Sequence, residues 1–437
     1  MKNEINKKFK VAFVGNIGNN FFREVGGLRK YTTIEADLFL DNSKDAELLD
    51  RPDLENNNYK NKFPKWIKTY KKPRFFEILL NSISKINIFL SKDTKLLISE
   101  LEDYDLCVFS GNAIPIINMI NNKKIIRPTG SDLTTTPVLK FREYSELRDN
   151  SLLGRIKSFH LWFLKKRIYI NSYKNADLIA VDKYKPFLEA ITKLRLKYKI
   201  TETPRLAIDT NNFKRINASY RLKVFQKWNI PLNSFIIFFP ARIMIKNSNT
   251  HVKTGQWKAS EKVFFALKRV LNNLNNYEKK KIILLIPFRE ESPCYRNAMS
   301  LIKKHNLSKN VMILKGDKVK TLTRPELIDI FSISSVTLDD FGAGWYGSNV
   351  VESLSCQCPV ITYVDEKYLK EHFKWHPIMN AQYADEIAKF ILNLFHDHKF
   401  LNNLRKKSHK WVKEYHSEKS ISYQYIFLIK NWLKYSD

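Results

Sequence analysis

Short apolar runs bounded by Gly, Asn and Asp recur along the chain, separated by longer amphipathic stretches, so a period of two gives way repeatedly to a period near 3.6. That is the pattern of strands followed by helices. In the first half, runs at 11–14, 104–110, 124–127 and 176–181 predict strands. The sequence turns polar and mixed between 211 and 232, and a second series then follows at 235–240, 281–287, 311–314, 336–338 and 360–364, with helical periodicity at 260–273 and 325–331. Strands that alternate with helices pair in parallel. The expected class is therefore α/β, and because 437 residues exceed what one hydrophobic core supports, the two series predict two Rossmann-like domains, 1–215 and 216–415, facing each other across a cleft. The remaining 416–437 is aromatic and helical in pattern.

The densest chemistry lies at 335–364, SVTLDDFGAGWYGSNVVESLSCQCPVITYV. It reads as a buried strand, a turn holding Gly342, Gly344 and Gly347, a helix opening at Ser348 and Asn349 and carrying Glu352, and a second apolar strand. A helix N-terminus at the carboxyl end of a parallel strand offers free N–H groups and a favourable dipole to a phosphate. A carboxylate one turn into that helix can accept hydrogen bonds from ribose hydroxyls. The segment is thus shaped for a nucleotide.

The same segment resembles the nucleotide-sugar signature of GT-B glycosyltransferases, above all the retaining hexosyltransferases of the family 4-like group, whose pattern runs Glu-Gly-Phe-Gly, four residues, Glu-Ala-x-Ala-Cys-Gly-x-Pro-Val. Trp345, Tyr346 and Gly347 fall on Gly-Phe-Gly, Glu352 on the second glutamate, Cys356 on the cysteine and Pro359-Val360-Ile361 on the closing strand. Two positions depart: Gly344 stands at the first glutamate and Gln357 at the glycine. The missing glutamate lies against the donor sugar in the family, and Asp340 is the nearest carboxylate that could replace it. Family members also place one Arg and one Lys over the donor diphosphate. Arg242 matches the first and Lys258 the second, with Lys246 and Lys253 as rivals. The resemblance further implies that Gly15 and Gly18 bind the donor from the first βα loop, where small residues let backbone N–H groups approach donor and acceptor, that PRLAIDTNNF (204–213) closes the first lobe, and that 416–437 crosses back to the N-terminal domain. In RPTGSDLTTTP (127–137), Asp132 could orient or deprotonate an acceptor hydroxyl, or cap the turn that follows.

Composition changes the picture in one respect. Seventy-five Lys plus Arg against 44 Asp plus Glu give +31, a balance that favours anionic partners, although Lys, Asn and Ile abound everywhere in the chain. Two stretches, 60–92 and 155–174, mix these cations with Trp66, Tyr70, Phe75, Phe76, Phe89 and Trp162. Such mixing suits an interfacial helix on anionic lipid and equally suits a solvated helix with a buried apolar face. No apolar run reaches a membrane span or a signal peptide, so the expected site is the cytoplasm, at the inner face of the membrane. Cysteines at 107, 294, 356 and 358 lack zinc spacing, and Asp339-Asp340 is adjacent rather than Asp-x-Asp, so no metal is expected. The combined expectation is a metal-independent enzyme that needs no cofactor and transfers sugar from a nucleotide-sugar to a hydroxyl of a surface glycan or glycolipid, with no nucleic-acid partner. A GT-B epimerase, a phosphorylase or a non-catalytic basic binding protein is the alternative.

Overall fold

A computed structural model describes residues 9–42, 52, 62–84, 90–146, 152–245, 249–288, 293–316 and 322–434. The chain forms two compact units, one of 1–207 with 418–437 and the other of 208–417.

The first unit is built on a seven-stranded sheet in the order β3-β2-β1-β4-β5-β6-β7: β1 (Lys10–Val14), β2 (Glu35–Asp41), β3 (Ile67–Tyr70), β4 (Leu106–Phe109), β5 (Lys123–Ile126), β6 (Leu178–Val181) and β7 (Ile200–Glu202). Every pairing is parallel. Helices α1 (Asn20–Tyr31) and α2 (Leu152–Asn175) and the final helix Glu418–Lys434 belong to this unit. The final helix puts Ile421, Tyr425, Leu428 and Ile429 into the same core as Val11, Phe13, Phe21, Val25 and Leu28. Tyr425 also closes a buried ionic knot: its hydroxyl donates to Glu24, and Glu24 in turn accepts from Arg127 at the end of β5.

The second unit carries six parallel strands in the order β10-β9-β8-β11-β12-β13, namely β8 (Phe235–Phe238), β9 (Ile282–Pro287), β10 (Val311–Leu314), β11 (Val336–Leu338), β12 (Val360–Thr362) and β13 (Met379–Asn380). Its helices include α3 (Ala218–Lys227), α4 (Glu261–Asn272), α5 (Arg324–Ile333), α6 (Ser348–Ser355) and α7 (His398–Tyr415). Continuous apolar strands such as FIIF in β8 are fully buried, as a parallel sheet covered on both faces requires.

All nine strands read from the sequence form. Four more, β2, β3, β7 and β13, do not stand out in it. In β2, EADLFLD, aspartates interrupt the apolar run, and β7 and β13 are three and two residues long. The strand β3 also narrows the helical reading of 60–92, where helix covers Phe75–Ser84. Residues 67–70 are an edge strand, Trp66 stacks on Phe22 with ring centroids 5.9 Å apart, and Tyr70 is buried. Phe75 is half-buried, and Trp162 packs with Leu139 and Tyr144. Of Trp66, Phe75, Phe76 and Trp162, Phe76 alone is exposed. Residues 60–61 and 85–89 of that stretch, with Phe89 among them, lie outside the described residues, as does Lys246.

Candidate donor site in the second unit

In an open parallel sheet the strand order reverses where two neighbouring loops leave in opposite directions, and the crevice outside the carboxyl ends of those strands takes the ligand. Here the reversal falls between β8 and β11. The loop after β8 carries Arg242 and Lys258, and the residues after β11 begin with Asp339 and Asp340. The sequence motifs therefore meet at one place for a topological reason.

The two loops are stitched together. Phe341 N donates to Lys258 O at 3.1 Å, and Lys262 Nζ donates to Phe341 O at 2.9 Å. Gly342 permits this approach, because a Cβ there would stand 2.4 Å from Trp257 O. Lys258 Nζ donates to Asp340 Oδ2 at 2.6 Å, while Asp340 Oδ1 accepts from Gly342 N and Ala343 N at 2.9 Å each. One carboxylate thus shapes the Gly-rich turn and fixes the lysine. Asp340 keeps Lys258 firmly charged, against the opposing effects of burial and of the Arg242 cation nearby. Arg242 itself is exposed. Lys253, the rival lysine, is exposed at the end of a short helix, Asn249–Lys253.

Asp339 lies beneath, 3% exposed, and accepts from Asn349 Nδ2 at 3.3 Å. Burial pushes its carboxyl up to about 6; the Lys258 charge pulls the other way and the Asp340 charge adds to the rise. Gly347, Ser348 and Asn349 form the half-buried start of α6, and a Cβ at Gly347 would meet nothing within 4 Å. The first N–H groups of such a helix have no intrahelical acceptor. Taken together the site offers an anion one guanidinium, one ammonium and a helix start. Gly344, at the position of the family's first glutamate, adopts a left-handed φ of 75°. Tyr346, at the family's phenylalanine, is buried with its hydroxyl 3.2 Å from His416 Nε2.

Glu352 stands differently from the expectation that it meets a ribose. It is fully buried, and both its oxygens accept from Arg324 Nη1 at 2.7 Å. Arg324 opens α5, and the sequence gives no sign of the pairing beyond the capping box of Thr323 and Glu326 that starts this helix. Nor does the motif reveal Asn349 as the partner of Asp339.

In the first unit, Gly15 and Gly18 follow β1. Gly15 has φ 94°, and a Cβ would lie 2.6 Å from Ser110 O, so this glycine serves the contact between the β1 and β4 loops. Gly18 also has positive φ, with open space around it. Asp132 is buried and accepts from the backbone N–H groups of Gly111, Thr129, Gly130 and Leu133 and from the Thr129 hydroxyl. Burial raises its pKa against the pull of these donors. Its contacts are those of a clamp on two loops: it lies within the short helix Ser131–Thr134, whose N-cap is Gly130, and most of its donors precede it in the chain.

No protein-family model matches the chain, and no curated protein matches it in sequence. Solved structures do. HepE from Anabaena, crystallised with UDP and glucose, superposes with a TM-score of 0.63 at 11% identity, over 97% of this chain and 100% of that one. The chain has the GT-B fold. Sucrose-phosphate synthase from Thermosynechococcus elongatus gives 0.61 at 13% identity over 98% and 100%, and a glycosyltransferase from Rickettsia africae gives 0.63 at 13% over 98% and 99%. The GT-B fold is thereby matched over nearly the whole length of each chain.

Proposed function

We propose that this GT-B protein is a glycosyltransferase that moves a sugar from a nucleotide donor to a hydroxyl of a surface glycan or glycolipid. The observation that carries the reading is the Lys258–Asp340 pair, set beside Arg242 and the start of α6 at the strand-order reversal. The crystal structures of HepE with UDP and with UDP-glucose support a nucleotide-sugar as donor. Arg242 and Lys258 bear on the leaving nucleoside diphosphate, and fixed cations aimed at developing charge lower the barrier without a metal. Asp340 holds Lys258 in place in the free protein and, four residues before Gly344, is the carboxylate nearest in sequence to the absent glutamate. Glu352 ties α6 to α5 through Arg324.

Attachment to an anionic membrane surface is part of the same reading, and its support comes from α2. Phe159, Leu161 and Phe163 are exposed on this helix beside Arg167. Among the described residues no helix is long and apolar enough to cross a membrane.

Incubation with a panel of sugar nucleotides and a lipid extract, followed by mass spectrometry, tests the reaction. A product heavier than a lipid by one sugar, formed in EDTA, is the expected result. Absence of both transfer and sugar-nucleotide hydrolysis with every donor overturns it. Sedimentation with phosphatidylglycerol vesicles tests attachment: Phe159→Ser with Phe163→Ser should abolish pelleting, and unchanged pelleting would acquit this face.

A further inference from the structure

Three arginines gather at the other end of α6, away from the candidate donor site. The segment after Phe213 runs under the last residue of that helix, Ser355, whose hydroxyl donates to Phe213 O. Two residues on is Arg215, and then Ile216 N donates to Ser332 Oγ at 3.2 Å. From the other side, His409 Nδ1 on α7 lies 3.1 Å from Ser355 O, and one turn before His409 on the same helix is Arg405. Asn217 caps α3, whose first turn carries Arg221. Three separate segments thus converge on one helix end, each bringing a half-buried guanidinium.

Among the described residues none of the three has an anion to meet. Arg405 donates from Nη1 to Asn402 Oδ1 at 3.2 Å, and the Nε atoms of Arg221 and Arg405 are buried without an acceptor. Among the described residues no carboxylate pairs with any of them, and Cys358 beside them is a buried thiol whose pKa burial raises, hence neutral. Burial depresses all three guanidinium pKa values, and their neighbours depress two of them further: Arg405 falls to about 10 with Arg215 and Arg221 opposing it, and Arg221 falls with Arg215 opposing it. A buried donor left unpaired is destabilising, and charges of one sign held together repel further. Proteins gather arginines in this way where a multiply charged oxyanion repays the cost, because the planar fork pairs two oxygens at a time. A carboxylate, with two oxygens and one charge, satisfies one such fork. Phosphate has more of both.

We propose that Arg215, Arg221 and Arg405 form a second anion site, one that holds the phosphate group of a soluble phosphorylated ligand or of a lipid. It is distinct from the donor site, since the eight residues of α6 separate the two ends by about 11 Å at 1.5 Å per residue. It does not rest on the glycosyltransferase reading.

Calorimetric titration with inorganic phosphate tests the site, carried out in an Arg242→Gln/Lys258→Gln background so that the donor site contributes little. Binding should persist there and weaken at least tenfold when Arg215→Gln and Arg405→Gln are added. Arg221→Gln alone is the milder probe should the combined variant fold poorly, and it should weaken binding several-fold. Melting curves give an independent check. Arg405→Gln relieves repulsion, so without phosphate it should melt at or above the parent, and phosphate should raise its melting temperature less. Sedimentation with phosphatidic acid against phosphatidylcholine vesicles separates the sources: arginine-dependent pelleting marks a lipid phosphate, and phosphate binding without pelleting marks a soluble one. Wild-type phosphate affinity in the arginine variants, no binding of either probe, or capture of an acidic peptide with no phosphate response would each overturn the site.

Discussion

Two ion pairs flank the Gly-rich segment of the second unit, and they differ in access to water. Lys258 and Asp340 meet at 2.6 Å with 27% of the lysine side chain exposed; Arg324 and Glu352 meet at 2.7 Å with 7% and none exposed. The chemistry is the same and the uses differ. A sealed pair can only hold two helices in register, because removing either partner strands a charge in a dry place. A pair whose cation is partly exposed can turn that cation toward an incoming anion, while its carboxylate keeps the bonds it accepts from Gly342 N and Ala343 N. The sequence motif points to Glu352 as the residue that meets ligand, while the burial points to Lys258.

The largest effect that would break this contrast is on stability. Glu352→Ala should cost about 3–5 kcal/mol in chemical denaturation, as expected when one partner of a buried pair is removed, and Arg324→Met with Glu352→Leu should recover much of it. Full stability in Glu352→Ala, with nucleotide binding lost, would reverse the two roles.

A pH dependence follows from Asp339. Its folded pKa of about 6 lies above the ordinary 3.8, so the folded state holds the extra proton and stability falls as pH rises from about 4 to about 6. The shift corresponds to about 3 kcal/mol. Asp339→Asn should flatten that limb and melt higher than wild type at pH 8. An unchanged slope would show that Asp339 titrates normally.

Transfer activity sharpens the contrast next. Lys258→Ala should lower the rate by about a hundredfold, in keeping with the loss of one electrostatic contact to developing charge, while far-ultraviolet circular dichroism stays native. A rate within threefold of wild type would remove Lys258 from the site. The smallest effect belongs to Arg242→Ala, about tenfold in nucleotide affinity by calorimetry, with no change in melting temperature because this side chain is exposed. A drop in melting temperature instead would make Arg242 structural.

Much of the architecture was legible along the chain because strands of a parallel sheet bury both faces and so read as unbroken apolar runs. The nine runs at 11–14, 104–110, 124–127, 176–181, 235–240, 281–287, 311–314, 336–338 and 360–364 all became strands. The exceptions have local causes: aspartates within β2, and the shortness of β7 and β13. Burial was less legible for the basic-aromatic stretches, since Trp66 and Trp162 each have a packing partner, Phe22 and Leu139, well separated from them in sequence.

What the sequence determined by itself was therefore local: hydrophobic periodicity, the Gly-rich turn after β11, and Asp340 within bonding reach of the turn it shapes. Pairing across long separations was decided only by the tertiary structure. Arg127 ends a predicted strand, yet its partners are Glu24 on α1 and Tyr425 on the final helix, 103 and 298 positions away. Lys258 finds Asp340 across 82 positions, and Arg324 finds Glu352 across 28. Whether a charged side chain faces a ligand or a buried counter-ion depends on which loops the sheet order sets side by side. In a chain with 75 Lys and Arg, residue type alone leaves too many candidates, and position in the fold selects among them.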